Sequence, residues 1–221
     1  MPVLSIVFWN IWVGHKAAHV RSQILEIRRL RNPEVIGLME AAHMYGHLEG
    51  LGYRVFQVRR KSRRGYVSEA ANSAILVRDD VKVVRRWFLI LKLVWKGPKL
   101  GKKHDPRWFP VVLVKHARRV WKTAPACHLP FGSAQRAEAD RGLRRLLKWT
   151  VKGRPVVVAG DMQHGKHAMD ARVADQVGAW IVGFGIDLAM GRNCDVVKVE
   201  SLGLRGSDVH PAVLVRVRAR R

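Results

Sequence analysis

Two stacked β-sheets flanked by helices, an α/β (α+β) sandwich, is the architecture this sequence predicts, and three observations point to it. Short apolar runs bounded by turn residues outnumber the helical patterns. The helices are too few to alternate with the strands one by one, as a single parallel sheet would require. An apolar share of 48% over 221 residues supplies a core deep enough for stacked layers. No Pro-, Gly- or Ser-rich linker and no internal repeat interrupts the chain, so residues 1–221 read as one domain.

Residues 3–9 are continuously apolar, as in a strand covered on both faces. Val20, Ile24 and Ile27 recur at helical spacing among basic residues, which makes 17–31 an amphipathic helix. Asn32-Pro33 stops it. Residues 35–39 form a second buried strand ending at Glu40. The middle reads as strands over 54–58, 73–77, 81–93, 110–115 and 120–127. Ala137, Leu143, Leu146 and Leu147 lie among arginines on a helix within 133–150, with Ser133 as its N-cap. A buried strand over 155–159 runs into Gly160-Asp161. Residues 168–180 read as helical, and 186–190, 196–199 and 212–217 as strands.

Forty-one Lys plus Arg against 17 Asp plus Glu leave a net charge of +24, with a sequence pI near 11.3. Self-repulsion of that size destabilises a compact chain, and a polyanion is the usual reason for it. Nucleic acid, DNA or RNA, is the expected partner, ahead of an anionic membrane surface. Two cysteines, Cys127 and Cys194, make neither a disulfide framework nor a cysteine zinc site, so they read as reduced thiols. The first residues lack the pattern of a signal peptide, and the apolar stretch 87–95 is short and holds Lys92. A cytoplasmic monomer that does not engage membranes is therefore expected. The Arg-, Ala- and Val-rich composition fits a bacterial or phage-infected cell.

Acidic residues are scarce, so their positions carry information. Glu40, Asp161, Asp187 and Asp208 each stand at or beside the end of an apolar run. Sheet ends hold polar groups rigidly while loops admit substrate; an acid there can equally terminate a strand or cap a helix. Carboxylates gathered in so basic a protein also suit a hard cation such as Mg²⁺, which takes oxygen ligands and can neutralise a phosphodiester.

Five segments, in order, resemble the endonuclease/exonuclease/phosphatase superfamily of DNase I-like and exonuclease III-like enzymes. Phe8-Trp9-Asn10-Ile11 is similar to its opening strand, and Pro33-Glu34-Val35-Ile36-Gly37-Leu38-Met39-Glu40 to its metal-binding P-D-V-I-x-L-Q-E. Cys127-His128-Leu129-Pro130 resembles T-H-L-P, and Val156-Val157-Val158-Ala159-Gly160-Asp161-Met162-Gln163 resembles V-V-x-G-D-F-N. Gly206-Ser207-Asp208-Val209-His210-Pro211-Ala212-Val213 is similar to the closing S-D-H-x-P-V, and Ile186-Asp187 to I-D-Y/W. The resemblance spans nearly the whole chain and implies a four-layer α/β/β/α sandwich, DNase I-like.

It also implies roles. Glu40, with Asn10 and Asp208, would hold Mg²⁺ (or Mn²⁺); Asp161 would orient or deprotonate the attacking water. His210 would face the scissile phosphate, its tautomer set by Asp187. His128 would protonate the leaving oxygen or support the phosphate; Asn72 either faces the cleft or starts a strand. Two departures stand out. Gln163 replaces the family's Asn on a longer stem. Val209 stands where the metal-side Asp belongs if the closing motif is aligned through its His; a bulge there would let both Asp208 and His210 point inward.

Two segments read as exposed basic loops. Arg59, Arg60, Lys61, Arg63 and Arg64 form the first; Lys99, Lys102, Lys103 and Arg107 lie in the second, 96–107. Such cations contact phosphates without reading sequence. Trp95, Trp108 and Trp121 could stack on bases or serve as core. The function expected is a metal-dependent phosphodiesterase cutting nucleic acid with low sequence specificity. The rival classes are a catalytically impaired binding protein that retains the fold, and a phosphoinositide or phospholipid phosphatase.

Overall fold

A computed structural model describes residues 2–12, 14–57, 73–97, 101–129, 133–148, 153–162, 169–207 and 210–220. The described strands form two six-stranded sheets. The first holds β1 (Val3–Asn10), β2 (Val35–Met39), β3 (Tyr53–Gln57), β4 (Ser73–Arg78), β11 (Cys194–Ser207) and β12 (His210–Ala219), in the order β11-β12-β1-β2-β4-β3. The second holds β5 (Lys82–Gly97), β6 (Gly101–His116), β7 (Arg119–His128), β8 (Val156–Asp161), β9 (Trp180–Phe184) and β10 (Asp187–Arg192), in the order β5-β6-β7-β8-β10-β9. Both are mixed: β1 runs parallel to β2, and β7 to β8.

Side-chain alternation assigns the layers. Leu4, Ile6 and Phe8 pack between the sheets with Val157, Ala159, Val213 and Val215. Their neighbours Val7 and Trp9 face outward onto helix α1 (Ala17–Arg31), meeting its buried stripe of Val20, Ile24 and Ile27. On the far side, helices α2 (Ser133–Lys148) and α3 (Met169–Gln176) cover Val156, Val158, Leu188 and Met190 with Leu143, Leu147 and Val173. The result is the four-layer α/β/β/α sandwich. Helix α1 ends where the sequence places its stop: Asn32 turns left-handed at φ 42°, and its N–H caps the Ile27 and Arg28 carbonyls.

The two sheets touch closely at one point. A Cβ added to Gly37 of β2 would lie 1.9 Å from the Pro125 carbonyl oxygen of β7. Pro125 sits in a register shift between Ala124 and Cys127, where β7 bends relative to β8. Only a residue without a side chain allows that approach.

Three features differ from the sequence reading. Of the segment 96–107, read as an exposed loop, the described residues 96–97 and 101–107 are strand instead: their backbone continues β5 and β6 as a two-stranded ribbon, paired from Leu91↔Arg107 to Gly97↔Gly101. Ladder hydrogen bonds need no apolar alternation, and the basic residues hid the strand. Pro106 and Pro110 fit because β6 pairs with β7 only from Val112 onward, so no second ladder needs their missing N–H. Residues 177–184 are a turn and then β9, not the end of a helix. Gly178 adopts φ 64°, and the Ala179 N–H returns to the Ala174 carbonyl to close α3. Strand β11 runs to Ser207, well beyond 199, through three register shifts. Among the described residues no helix is long and apolar enough to cross a membrane.

Lys122 of β7 is 3% exposed, and its ammonium donates to the Leu146 carbonyl near the end of α2. Burial depresses its pKa to about 8.

Two outcomes are expected. Gly37→Ala loses about 1–3 kcal/mol or more in chemical denaturation, since the added methyl meets backbone rather than a movable side chain. Lys122 folded releases its proton near pH 8, whereas unfolded it holds it to about 10.4. Between those values the unfolded chain binds more protons, so stability rises with pH. Below pH 8 the cost of the buried charge is fully present. Lys122→Met flattens that rise when wild type and variant are compared over pH 7–11.

Candidate active site

Six side chains converge where the ends of the two sheets meet. The first sheet supplies Asn10 at the end of β1, Glu40 just after β2 and His210 at the start of β12. The second supplies His128, Asp161 and Asp187, which lie side by side: Asp161 pairs in register with His128 on β7 and with Asp187 on β10. In-register neighbours project to the same face of a sheet, so the pairing itself gathers these three. Gly160 makes the register possible. It adopts φ 147°, and a Cβ there would lie 2.0 Å from the Cys127 carbonyl oxygen.

Asp161 is the centre. Its carboxylate has no exposure. Oδ2 accepts from Asn10 Nδ2 at 3.1 Å, and the Nε2 atoms of His128 and His210 each lie 3.7 Å away. Asn10 Nδ2 also donates to Glu40 Oε1 at 3.3 Å, so one amide bridges two acids. Its oxygen is taken from the other side by the Trp12 N–H at 3.2 Å. Asn10, expected among the metal ligands, thus presents its nitrogen to the carboxylates rather than its oxygen. Glu40 itself is left-handed, at φ 56°. A non-glycine residue in that region is uncommon and is held there by its surroundings.

His210 links the two acids of the second sheet. Its Nδ1 contacts Asp187 Oδ2 at 3.1 Å and Oδ1 at 3.3 Å, while Nε2 faces Asp161. The hydrogen bond to Asp187 raises the imidazole pKa against the opposing effect of burial. Burial pushes the Asp187 carboxyl up, countered by the same bond. Both groups thus hold a proton more readily than usual, and the contact orients Nδ1 of the ring toward Asp187.

Asp161, Asp187 and His210 also place ligand atoms within 4.8 Å of one another, spacing that could hold a metal ion. Asp187 already satisfies His210 there, whereas Glu40 and Asp161 offer carboxylate oxygens on either side of an amide.

The chain superposes on an endonuclease/exonuclease/phosphatase from Bacteroides vulgatus with a TM-score of 0.76, at 13% identity over 100% of both chains. The fold is that of the endonuclease/exonuclease/phosphatase proteins. The catalytic domain of human Nocturnin, solved with a bound sulfate anion, matches at TM-score 0.69 and 15% identity, over 99% of this chain and 95% of that one. D. rerio TDP2, solved with a single-strand DNA product, matches at TM-score 0.64 and 17% identity, over 99% of this chain and 100% of that one. No protein-family model and no curated protein matches the sequence.

Within this endonuclease/exonuclease/phosphatase fold, Asn10, Glu40, His128, Asp161, Asp187 and His210 come together. Gln163, Asp208, Asn72, Lys99 and the run holding Arg59, Arg60, Lys61, Arg63 and Arg64 lie outside the described residues. Lys102, Lys103 and Arg107 lie on the β5–β6 ribbon, not on a loop. Because β6 is antiparallel to β7, that ribbon extends toward the end of the sheet that carries His128. Trp121 is core at 1% exposure. Trp12 was not singled out by sequence reasoning; Gly14, two residues on, is the signal that could have marked a ring packed against backbone.

Asn10→Asp tests the bridge between the acids. It replaces the donor with a third carboxylate, so its destabilisation in EDTA is larger at pH 8 than at pH 5, by about 1–3 kcal/mol in denaturant titrations.

Proposed function

We propose that the protein is a metal-dependent phosphodiesterase that hydrolyses nucleic-acid phosphodiester bonds with low sequence specificity. The observation that carries this reading is the setting of Asp161: an amide-bridged glutamate on one side, an aspartate-backed imidazole on the other. Glu40 would hold the Mg²⁺ or Mn²⁺, with waters and phosphate oxygens completing its shell. When bound, the ion neutralises the phosphate and stabilises the charge that builds on attack. Asn10 keeps the Glu40 and Asp161 carboxylates aimed at a common space. Asp161 takes the proton of the attacking water as the new oxygen–phosphorus bond forms in line with the bond that breaks. His210, kept protonated by Asp187, donates to a phosphate oxygen. His128, 12% exposed at its side chain, supplies the proton that the leaving oxygen needs. No covalent enzyme intermediate is required.

The +24 charge supports a polyanionic substrate. Basic residues along 92–107 would contact the backbone and read no bases. Low identity to the structural neighbours leaves the choice of substrate to this chain's own surface.

Nicking of supercoiled plasmid with Mg²⁺ is the test. Activity disappears in EDTA and falls about 100-fold or more in Asp161→Ala, the range for loss of a general base. Equal nicking by wild type and Asp161→Ala would overturn the reading.

A further inference from the structure

Trp12 is an expensive residue. Its backbone is left-handed at φ 55°, a conformation that is costly for a bulky side chain. Its indole is 51% exposed, so burial does not offset that cost. The residue is nevertheless fixed. Its N–H donates to Asn10 Oδ1 at 3.2 Å, two hydrogen bonds away from Asp161. A Cβ added to Gly14 would come within 2.7–3.0 Å of three atoms of the indole's six-membered ring. The outer atoms of the six-membered ring therefore lie close against Gly14, where any side chain would collide with them. The ring meets His15 edge-on, with centroids 5.7 Å apart at 81°, and His15 stacks on His19 at 5.2 Å and 16°. The arrangement braces the indole, which stays half exposed on a residue whose backbone is bonded to Asn10 of the acidic cluster.

We propose that Trp12 is a stacking platform for one unstacked nucleobase next to the phosphate bound at Asn10, Glu40 and Asp161. The proposal rests on the phosphodiesterase reading and narrows its substrate class. Inside a continuous duplex both faces of every base are covered by neighbours, so an indole reaches a π-face only on an unpaired strand or at an end. The preferred substrate is therefore single-stranded or end-frayed nucleic acid. Stacking is tolerant of base identity, which agrees with low sequence specificity. Gly14 serves as a positioning residue, since any side chain there would lift the ring.

The test is equilibrium binding in EDTA, where no turnover occurs. A labelled single-stranded decadeoxynucleotide, the same strand with its bases removed, and a blunt duplex are compared by fluorescence anisotropy. Trp12→Ala weakens binding of the intact single strand about fivefold or more, the low end for loss of one base–aromatic stack. Trp12→Phe retains most of the affinity, and Gly14→Ala loses it with Trp12 still present. The abasic strand binds wild type and Trp12→Ala alike, and the blunt duplex, whose only free π-faces are those of its two terminal pairs, loses less on Trp12→Ala than the single strand does. Unchanged affinity of Trp12→Ala for the intact strand overturns the proposal, as does an equal loss on the abasic strand or no binding of the intact strand by wild type. Plasmid nicking separates the two readings. A protein that never cleaves but loses single-strand affinity on Trp12→Ala keeps the stack and loses the enzyme. One that cleaves with Trp12→Ala affinity unchanged does the reverse.

Discussion

Ionising a carboxylate with no exposed surface of its own is costly unless neighbouring dipoles and charges replace the lost hydration, and Asp161 is such a carboxylate. Its compensation comes from three other strands: the Asn10 amide of β1, the His128 ring of β7 and the His210 ring of β12. None of these is near it in sequence. The electrostatics balance only when both sheets have formed and stacked in this register. Assembly of the site and completion of the fold are therefore a single event. Gly37 and Gly160 are the steric side of the same requirement, one admitting the opposite sheet and the other the neighbouring strand.

A small acidic centre inside a strongly cationic shell also divides the electrostatic work by range. Surface charge draws a polyanion from a distance and is screened over about 10 Å at 0.1 M salt. The buried contacts around Asp161 and Asp187 are screened far less and set protonation locally. The pairing of Asp187 with His210 shows that division at one residue: a contact of 3.1 Å, not the overall charge of the chain, is the largest influence raising the imidazole pKa.

Much of this was legible in the residues, because strand ends and amphipathic stripes leave strong local patterns. Val20, Ile24 and Ile27 place α1 with both of its ends, and the apolar run before Glu40 places β2. The run ending at Asp161 reads directly as a strand that delivers a carboxylate to an edge. What stayed hidden depends on partners rather than on pattern. The ribbon of β5 and β6 is held by backbone pairing between segments whose side chains look like a loop. Strand β9 follows a helix so closely that only the Gly178 turn separates them. The orientation of the Asn10 amide is decided by Trp12, a residue whose own importance appears only once its φ and exposure are known.

The β5–β6 ribbon has one more consequence. Past the last pairing with β7, neither of its margins pairs with a further strand among the described residues, and an unpaired edge is the template by which strands recruit copies of themselves into fibrils. Lys92, Lys96, Lys102, Lys103 and Pro106 fall along that stretch. Mutual repulsion among lysines and the missing N–H of proline discourage sheet extension. The same cations that suit a phosphate backbone thus act as gatekeepers of colloidal stability, and neutralising them to probe nucleic-acid contacts would also lower the barrier to self-association.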